Sequence, residues 1–171
     1  MATIGKINVG SLRGRQARTE ESKLYALSIP LDFLGMLVGF IDGDGYIAIT
    51  KTTKGFISIS LVIGLQGADR AILEYIKSVL LIGDINYLPA TDTVKYIINR
   101  TDLQEILFPL MVKQGLFFLT KTRRAQFNLA LAILNSGVTL FKDIPNPVSI
   151  TTYFPLPTTP SGYIALPFFF N

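Results

Sequence analysis

Leu34-Gly35-Met36-Leu37-Val38-Gly39-Phe40-Ile41-Asp42-Gly43-Asp44-Gly45-Tyr46 is apolar enough to form a buried helix. Yet glycine recurs at every fourth residue, at Gly35, Gly39 and Gly43, and the carboxylates Asp42 and Asp44 stand at the end. Each feature is locally unfavourable. A glycine inside a helix costs about 0.5–1 kcal/mol relative to alanine. An acid at a helix C-terminus faces the negative end of the macrodipole and loses about 0.3–1 kcal/mol. A glycine ridge is explained if another backbone approaches along that face, and paired acids are explained if a cation neutralises them. The run therefore predicts a helix–helix seam with a metal site at one end.

Working outward, Leu31–Ile41 reads as the first helix, with Pro30 tolerated in its opening turn and Asp32 well placed for the dipole. From Gly45 to Thr53 the period becomes two, with Ile47 and Ile49 on one face and Ala48, Thr50 and Thr52 on the other. Lys54-Gly55 forms a turn. Phe56–Ile63 then alternates Ile57, Ile59, Leu61 and Ile63 against Ser58 and Ser60, completing a hairpin. Ala68–Leu80 returns to helical period and Gly83 ends it. Asp84–Leu88 and Thr91–Asn99 form a second hairpin around Pro89-Ala90. Thr101 with Gln104 reads as a capping box opening a short helix to about Phe108, and Thr122 to about Asn135 is the last helix, stopped by Gly137. The order α-β-β-α-β-β-α gives an α+β fold with helices on one face of an antiparallel sheet and the other face open.

Composition narrows the chemistry. There is no cysteine and no histidine, which removes disulfides, thiolate zinc sites and any Ser-His-Asp triad. A site built only of oxygen donors favours Mg²⁺, with Mn²⁺ or Ca²⁺ able to occupy the same place. The net charge is +4, but residues 31–50 carry only acids, so a small acidic focus lies within a basic chain. That pattern suits a metal centre acting on a polyanion. Hydrophobic content is 49% with mean hydropathy +0.43, but no run approaches the ~18–20 apolar residues of a membrane span, and no membrane role is expected.

Three regions follow: a basic N-terminal extension, 1–29; the α+β domain, 30–137; and a proline-rich strap, 138–171. Beyond Asp143 the strap has no charged residue and carries Pro145, Pro147, Pro155, Pro157, Pro160 and Pro167. It reads as an extended linker that lies along a partner or the domain itself. The first 19 residues are basic and acid-free, which suits a transit peptide or a DNA-grazing extension.

Leu37–Gly45 resembles the nine-residue signature of the LAGLIDADG homing endonucleases, and the element order is that family's repeat. The resemblance covers about Leu31–Asn135. It implies a site-specific, intron-encoded DNA endonuclease of the homing type, in an organelle such as the mitochondrion, making a magnesium-dependent double-strand break. It implies a seam at Gly35, Val38, Gly39 and Asp42, with Asp42 capping and orienting structure there. Asp44 becomes the metal ligand, helped by the Gly43 carbonyl. Lys121 is similar to a basic position that polarises solvent or stabilises phosphate charge, and Gln66 to a polar residue that organises water. The open sheet face would read double-stranded DNA through Ala48, Thr50, Thr52, Lys54, Ser58, Ser60 and Lys95, with Arg123 on phosphate.

One motif implies a partner, because a single helix cannot make its own seam. Two arrangements fit: a homodimer, or a heterodimer with a separate C-terminal LAGLIDADG half. The strap's end, Leu166–Asn171, resembles the lead-in to a second signature helix and favours the latter. The competing function is intron RNA maturation, or a non-catalytic half-protein that binds nucleic acid. A splicing role that survives loss of the Asp44 charge would separate it from cleavage.

Overall fold

The computed structural model describes residues 18–144. The elements are α1 (Glu20–Leu27), α2 (Leu31–Asp44), β1 (Gly45–Lys51), β2 (Ile57–Gln66), α3 (Arg70–Leu80), β3 (Asp84–Leu88), β4 (Thr93–Asn99), α4 (Arg100–Asp102), α5 (Phe108–Gln114) and α6 (Lys121–Ser136). The strands form one antiparallel sheet in the order β1-β2-β4-β3. Two hairpins are thus joined through their long strands, β2 and β4. Inward residues Ile47, Ile59, Leu61, Ile63, Val94, Tyr96 and Ile98 belong to a single core with α2, α3 and α6. The expected α+β architecture is what the structure shows, and the expected α-β-β-α-β-β-α order runs from α2 to α6 with α4 and α5 inserted before the last helix; α1, in the region read as a basic extension, is an addition.

Several details differ from the sequence reading. The signature helix runs to Asp44 rather than stopping at Ile41, so both acids and Gly43 lie within its last turn. Among the described residues no single helix is long and apolar enough to cross a membrane, and α1 and α2 are bent by 93° at Pro30. The Thr101–Gln104 capping box does not form: the chain passes from β4 into α4 with Asn99 at the cap, and Thr101 is buried. The helix also continues past Pro109 to Gln114. Proline lacks the N–H that would bond to the Glu105 carbonyl and its ring crowds that carbonyl. A π-helical stretch, Leu103–Leu107, lies immediately before it, with Phe108 N–H bonding to Leu103, and this widening lets the helix pass the proline.

The described part of the N-terminal extension is packed on the domain. Thr19 caps α1 by accepting from the Ser22 N–H, and Glu20 and Glu21 fill its first turn. Ala26 and Ile29 join the core. Arg18 is buried in an ion pair with Asp102, and its backbone N–H donates to Glu105 at 3.0 Å. Burial pushes the Asp102 carboxyl above the ordinary aspartate range, against the opposing pull of Arg18 and the Gly83 N–H. At the other end, Leu140 bridges to Phe56, and the Ile57 N–H donates to Thr139 at 2.8 Å, so the start of the strap region is tied to the first hairpin. The rest of that region lies outside the described residues.

Gly83 shows where close packing is strictest. Its φ is +81°, and a Cβ there would stand 2.6 Å from the Tyr96 ring and 2.9 Å from the Ile97 carbonyl. Tyr96 cannot yield, because its buried hydroxyl donates to the Ile82 carbonyl at 2.6 Å. Gly83→Ala is expected to lower stability by about 2 kcal/mol or more, read by urea unfolding, because left-handed strain and a backbone clash add.

Candidate active site and nucleic-acid face

The signature helix divides into two faces. Phe33, Leu34, Leu37, Val38 and Ile41 are buried in the core. Asp32, Gly35, Met36, Gly39 and Gly43 are exposed and share the opposite stripe. A Cβ added to Gly35, Gly39 or Gly43 meets nothing within 4 Å. The glycine ridge is therefore an open track along the helix. Val38, expected on the seam, faces the core instead, since helical geometry carries it away from the stripe that Gly35 and Gly39 occupy.

Asp42 also turns inward, at 8% exposure. Its carboxylate accepts from the Leu119 N–H, from the Thr120 hydroxyl, and from the Thr120 N–H at 3.1 and 3.2 Å. Thr120 is the N-cap of α6, whose hydroxyl accepts in turn from the Arg123 N–H. The acid at the wrong end of its own helix thus lies at the favourable, positive end of another. Asp44, two residues on, is exposed, as is Gly43. Gly45 is buried and caps α2 through its N–H to the Ile41 carbonyl.

Strand register gathers further residues around Asp44. Gly45 pairs with Ile63, so the level of Asp44 is that of Gly64, and Gly64 pairs with Lys95. The Lys95 Cγ lies 3.9 Å from where a Gly64 Cβ would be. Gln66, exposed at the end of β2, is two residues farther along. Lys121 is exposed at the first position of α6, one residue after the Thr120 that Asp42 holds. By register Lys95 and Gln66 thus lie toward the end of the sheet where β1 leaves Asp44, and Lys121 follows the residue that Asp42 holds.

Ala48, Thr50, Ser58 and Ser60 lie together on the face away from the helices, where Ala48 pairs with Ser60 and Thr50 with Ser58. The exposed Lys54 belongs to the hairpin turn, roughly 20 Å from Asp44 at the rise of an antiparallel strand. Thr52 also stands there, and its hydroxyl accepts from the Phe56 N–H at 3.0 Å. The face is less polar at its centre than expected: Tyr46 pairs with Val62 and Val62 with Ile97. Asn86, Thr93 and Asn99 complete it from β3 and β4, and the alternation that placed Lys95 there marks them equally.

Arg123 does not extend from this face. Its guanidinium donates to Gln126 Oε1 at 2.9 Å and reaches the Asp42 carbonyl at 3.5 Å, so it braces the end of α2. The negative end of that helix accounts for its position. Gln126, which the sequence reading passed over, also accepts from the Ile47 N–H.

No group of three or more metal-binding side chains occurs among the described residues. The oxygen groups exposed at this end of α2 are the Asp44 carboxylate and the backbone of Gly43. This set suits Mg²⁺ as half of a site, because Mg²⁺ is usually held by one or two carboxylates together with substrate phosphates and water.

A family model described as LAGLIDADG endonuclease matches residues 37–117. The LAGLIDADG meganuclease I-AabMI, in a crystal structure bound to uncleaved DNA, is 32% identical with a TM-score of 0.52, over 60% of this chain and 36% of that one. The meganuclease I-CpaMI bound to uncleaved DNA is 21% identical with a TM-score of 0.52, over 80% and 48%. The homing endonuclease I-GzeII in complex with its DNA target is 14% identical with a TM-score of 0.51, over 78% and 41%. The last two are likenesses of fold. This chain spans between 36% and 48% of the length of these relatives.

Proposed function

We propose that this chain, whose residues 37–117 match the LAGLIDADG endonuclease family model, is a member of that family and supplies one half of a divalent-cation-dependent site that hydrolyses both strands of double-stranded DNA. The observation that carries this reading is the exposed Asp44 at the end of a helix whose glycine stripe is open along its length. A second α2-type helix laid on that stripe brings a second acid beside Asp44 and completes the donor set.

Within such a pair this chain's residues have distinct tasks. Asp44, with the Gly43 carbonyl, holds the cation. When bound, the cation lowers the pKa of a water molecule and stabilises charge on the attacking and leaving oxygens. Lys121, held at the start of α6 next to the Asp42 clamp, faces developing phosphate charge. Lys95 and Gln66 flank the same end of the sheet and hold the sugar-phosphate chain or water. The outer strand residues Ala48, Thr50, Ser58 and Ser60, with Thr52 and Lys54 at the hairpin, read the duplex farther from the cut.

The test is incubation with a randomised pool of double-stranded DNA. Breaks at one long site that require a divalent cation support the reading; breaks that persist without the cation, or with Asp44→Asn, overturn it.

The seam makes a second, opposed pair of predictions. Gly35→Ala and Gly39→Ala together should stabilise the isolated chain, by about 0.5–1 kcal/mol each, because their Cβ atoms enter open space and alanine favours helix. The same two methyl groups should hold a partner helix away. Sedimentation equilibrium should show weaker association, and cleavage should fall. Unchanged association would rule out this stripe as the interface. If the wild-type chain sediments as an inert monomer, its partner is a separate half rather than a copy of itself.

A further inference from the structure

Asp44 sits between Gly43, in the last turn of α2, and Gly45, which caps that helix and pairs with Ile63, and neither neighbour has a side chain to hold the acid. Further support comes from α6 and the residues leading into it, on both sides of Asp44. Before Asp44, the Asp42 carboxylate is bound by Leu119 and Thr120, and the Asp42 carbonyl by Arg123. After Asp44, the Ile47 N–H donates to Gln126 Oε1 at 2.9 Å. β1 is an edge strand, so an N–H on its free side has no strand partner and needs one from elsewhere. The same oxygen accepts from Arg123 Nη1 at 2.9 Å, which locks the amide in place. Residues 120, 123 and 126 recur at every third position along one helix, so one rigid face grips both ends of the segment that carries the acid.

We propose that Gln126, braced by Arg123, is a positioning residue for Asp44: it fixes the strand leaving the acid and so sets where the carboxylate presents itself to a cation. This rests on Asp44 being the cation ligand. Outer groups that orient a ligating side chain typically change metal affinity by roughly 10–100-fold when removed. A purely structural role, satisfying one edge N–H, would alter stability and leave cation affinity where it was.

The experiment compares Gln126→Leu, which removes the acceptor at similar size, with Gln126→Glu, which keeps an oxygen for Ile47 and strengthens the link to Arg123. The readout is Mn²⁺-induced broadening of the backbone amide signals of residues 43–46 in the full chain without DNA. Gln126→Leu should need roughly tenfold more Mn²⁺ for half-maximal broadening, and Gln126→Glu should stay close to wild type. The Mg²⁺ concentration for half-maximal cleavage should shift in parallel. If Gln126→Leu does not fold, Arg123→Lys replaces it; that variant keeps the charge but loses the fork, and a smaller shift in the same direction is expected. Broadening at unchanged Mn²⁺ in a folded variant, whatever its melting temperature, overturns the positioning role. Wild-type broadening of residues 43–46 that persists unchanged in Asp44→Asn overturns Asp44 as the ligand instead, so the two failures are distinct.

Discussion

Asp44→Asn should leave the domain folded and lower double-strand cleavage by about 10²–10³-fold or more. The side chain is exposed, and none of the described residues depends on its carboxylate for a hydrogen bond. Removing an acid from the C-terminal turn of α2 also relieves an unfavourable dipole interaction of about 0.3–1 kcal/mol. Unfolding in urea should therefore show equal or slightly greater stability while activity collapses. That pairing of opposite signs separates a functional acid from a structural one. The amide keeps the shape and loses the charge, so a cation that needs the carboxylate binds poorly, whereas a base-reading or architectural contact would survive. Cleavage by Asp44→Asn within a few-fold of wild type would remove Asp44 from the chemistry.

How much of this was legible without coordinates depends on whether the signal was periodic or a matter of which distant element came near. The two hairpins, the helices between them and the open glycine track follow from spacing, and the structure has them. Val38 and Gly35 are separated by three residues on a helix, yet one faces the core and the other solvent, because the apolar stripe and the glycine stripe diverge around the axis. Reading the motif as a single unit hid that split. Arg123 looked like a phosphate contact because an arginine near a helix start carries no mark of what stands beside it. Its position is explained by the carbonyl end of α2, 81 residues earlier in the chain, which no local pattern shows. Gln126 left still less trace, since its partner is the backbone N–H of a residue with an apolar side chain. The T-E-E-S run at Thr19 is an N-cap signal that the reading of residues 1–29 as a basic extension left unused, and α1 follows it. The central apolar row of the sheet face, Tyr46, Val62 and Ile97, was present in the alternation and obscured by attention to hydroxyls.

Asp42→Ala carries the largest expected loss of stability, about 3 kcal/mol with a range of roughly 2–4, since charge-assisted bonds contribute about 1.5–3 kcal/mol and buried donors left unpaired cost about 1–3 kcal/mol each. The carboxylate serves the Leu119 N–H, the Thr120 N–H and the Thr120 hydroxyl at once, from a buried position. Alanine strands those donors and removes an anion from the positive end of α6. Asp42→Asn should cost less, because one amide oxygen can still accept while its NH₂ group faces donors. The order wild type, Asn, Ala in urea midpoint is the expected outcome; equal stabilities would show that the clamp contributes nothing. Activity should fall for both variants as the start of α6, with Lys121 one residue beyond Thr120, moves away from Asp44. Unlike the Asp44 variant, this loss should be recovered in part by conditions that restore the fold, such as lower temperature or a stabilising osmolyte. The two neighbouring acids would then be told apart by thermodynamics alone: one whose removal costs the fold nothing and the reaction nearly everything, and one whose removal costs the reaction only through the fold.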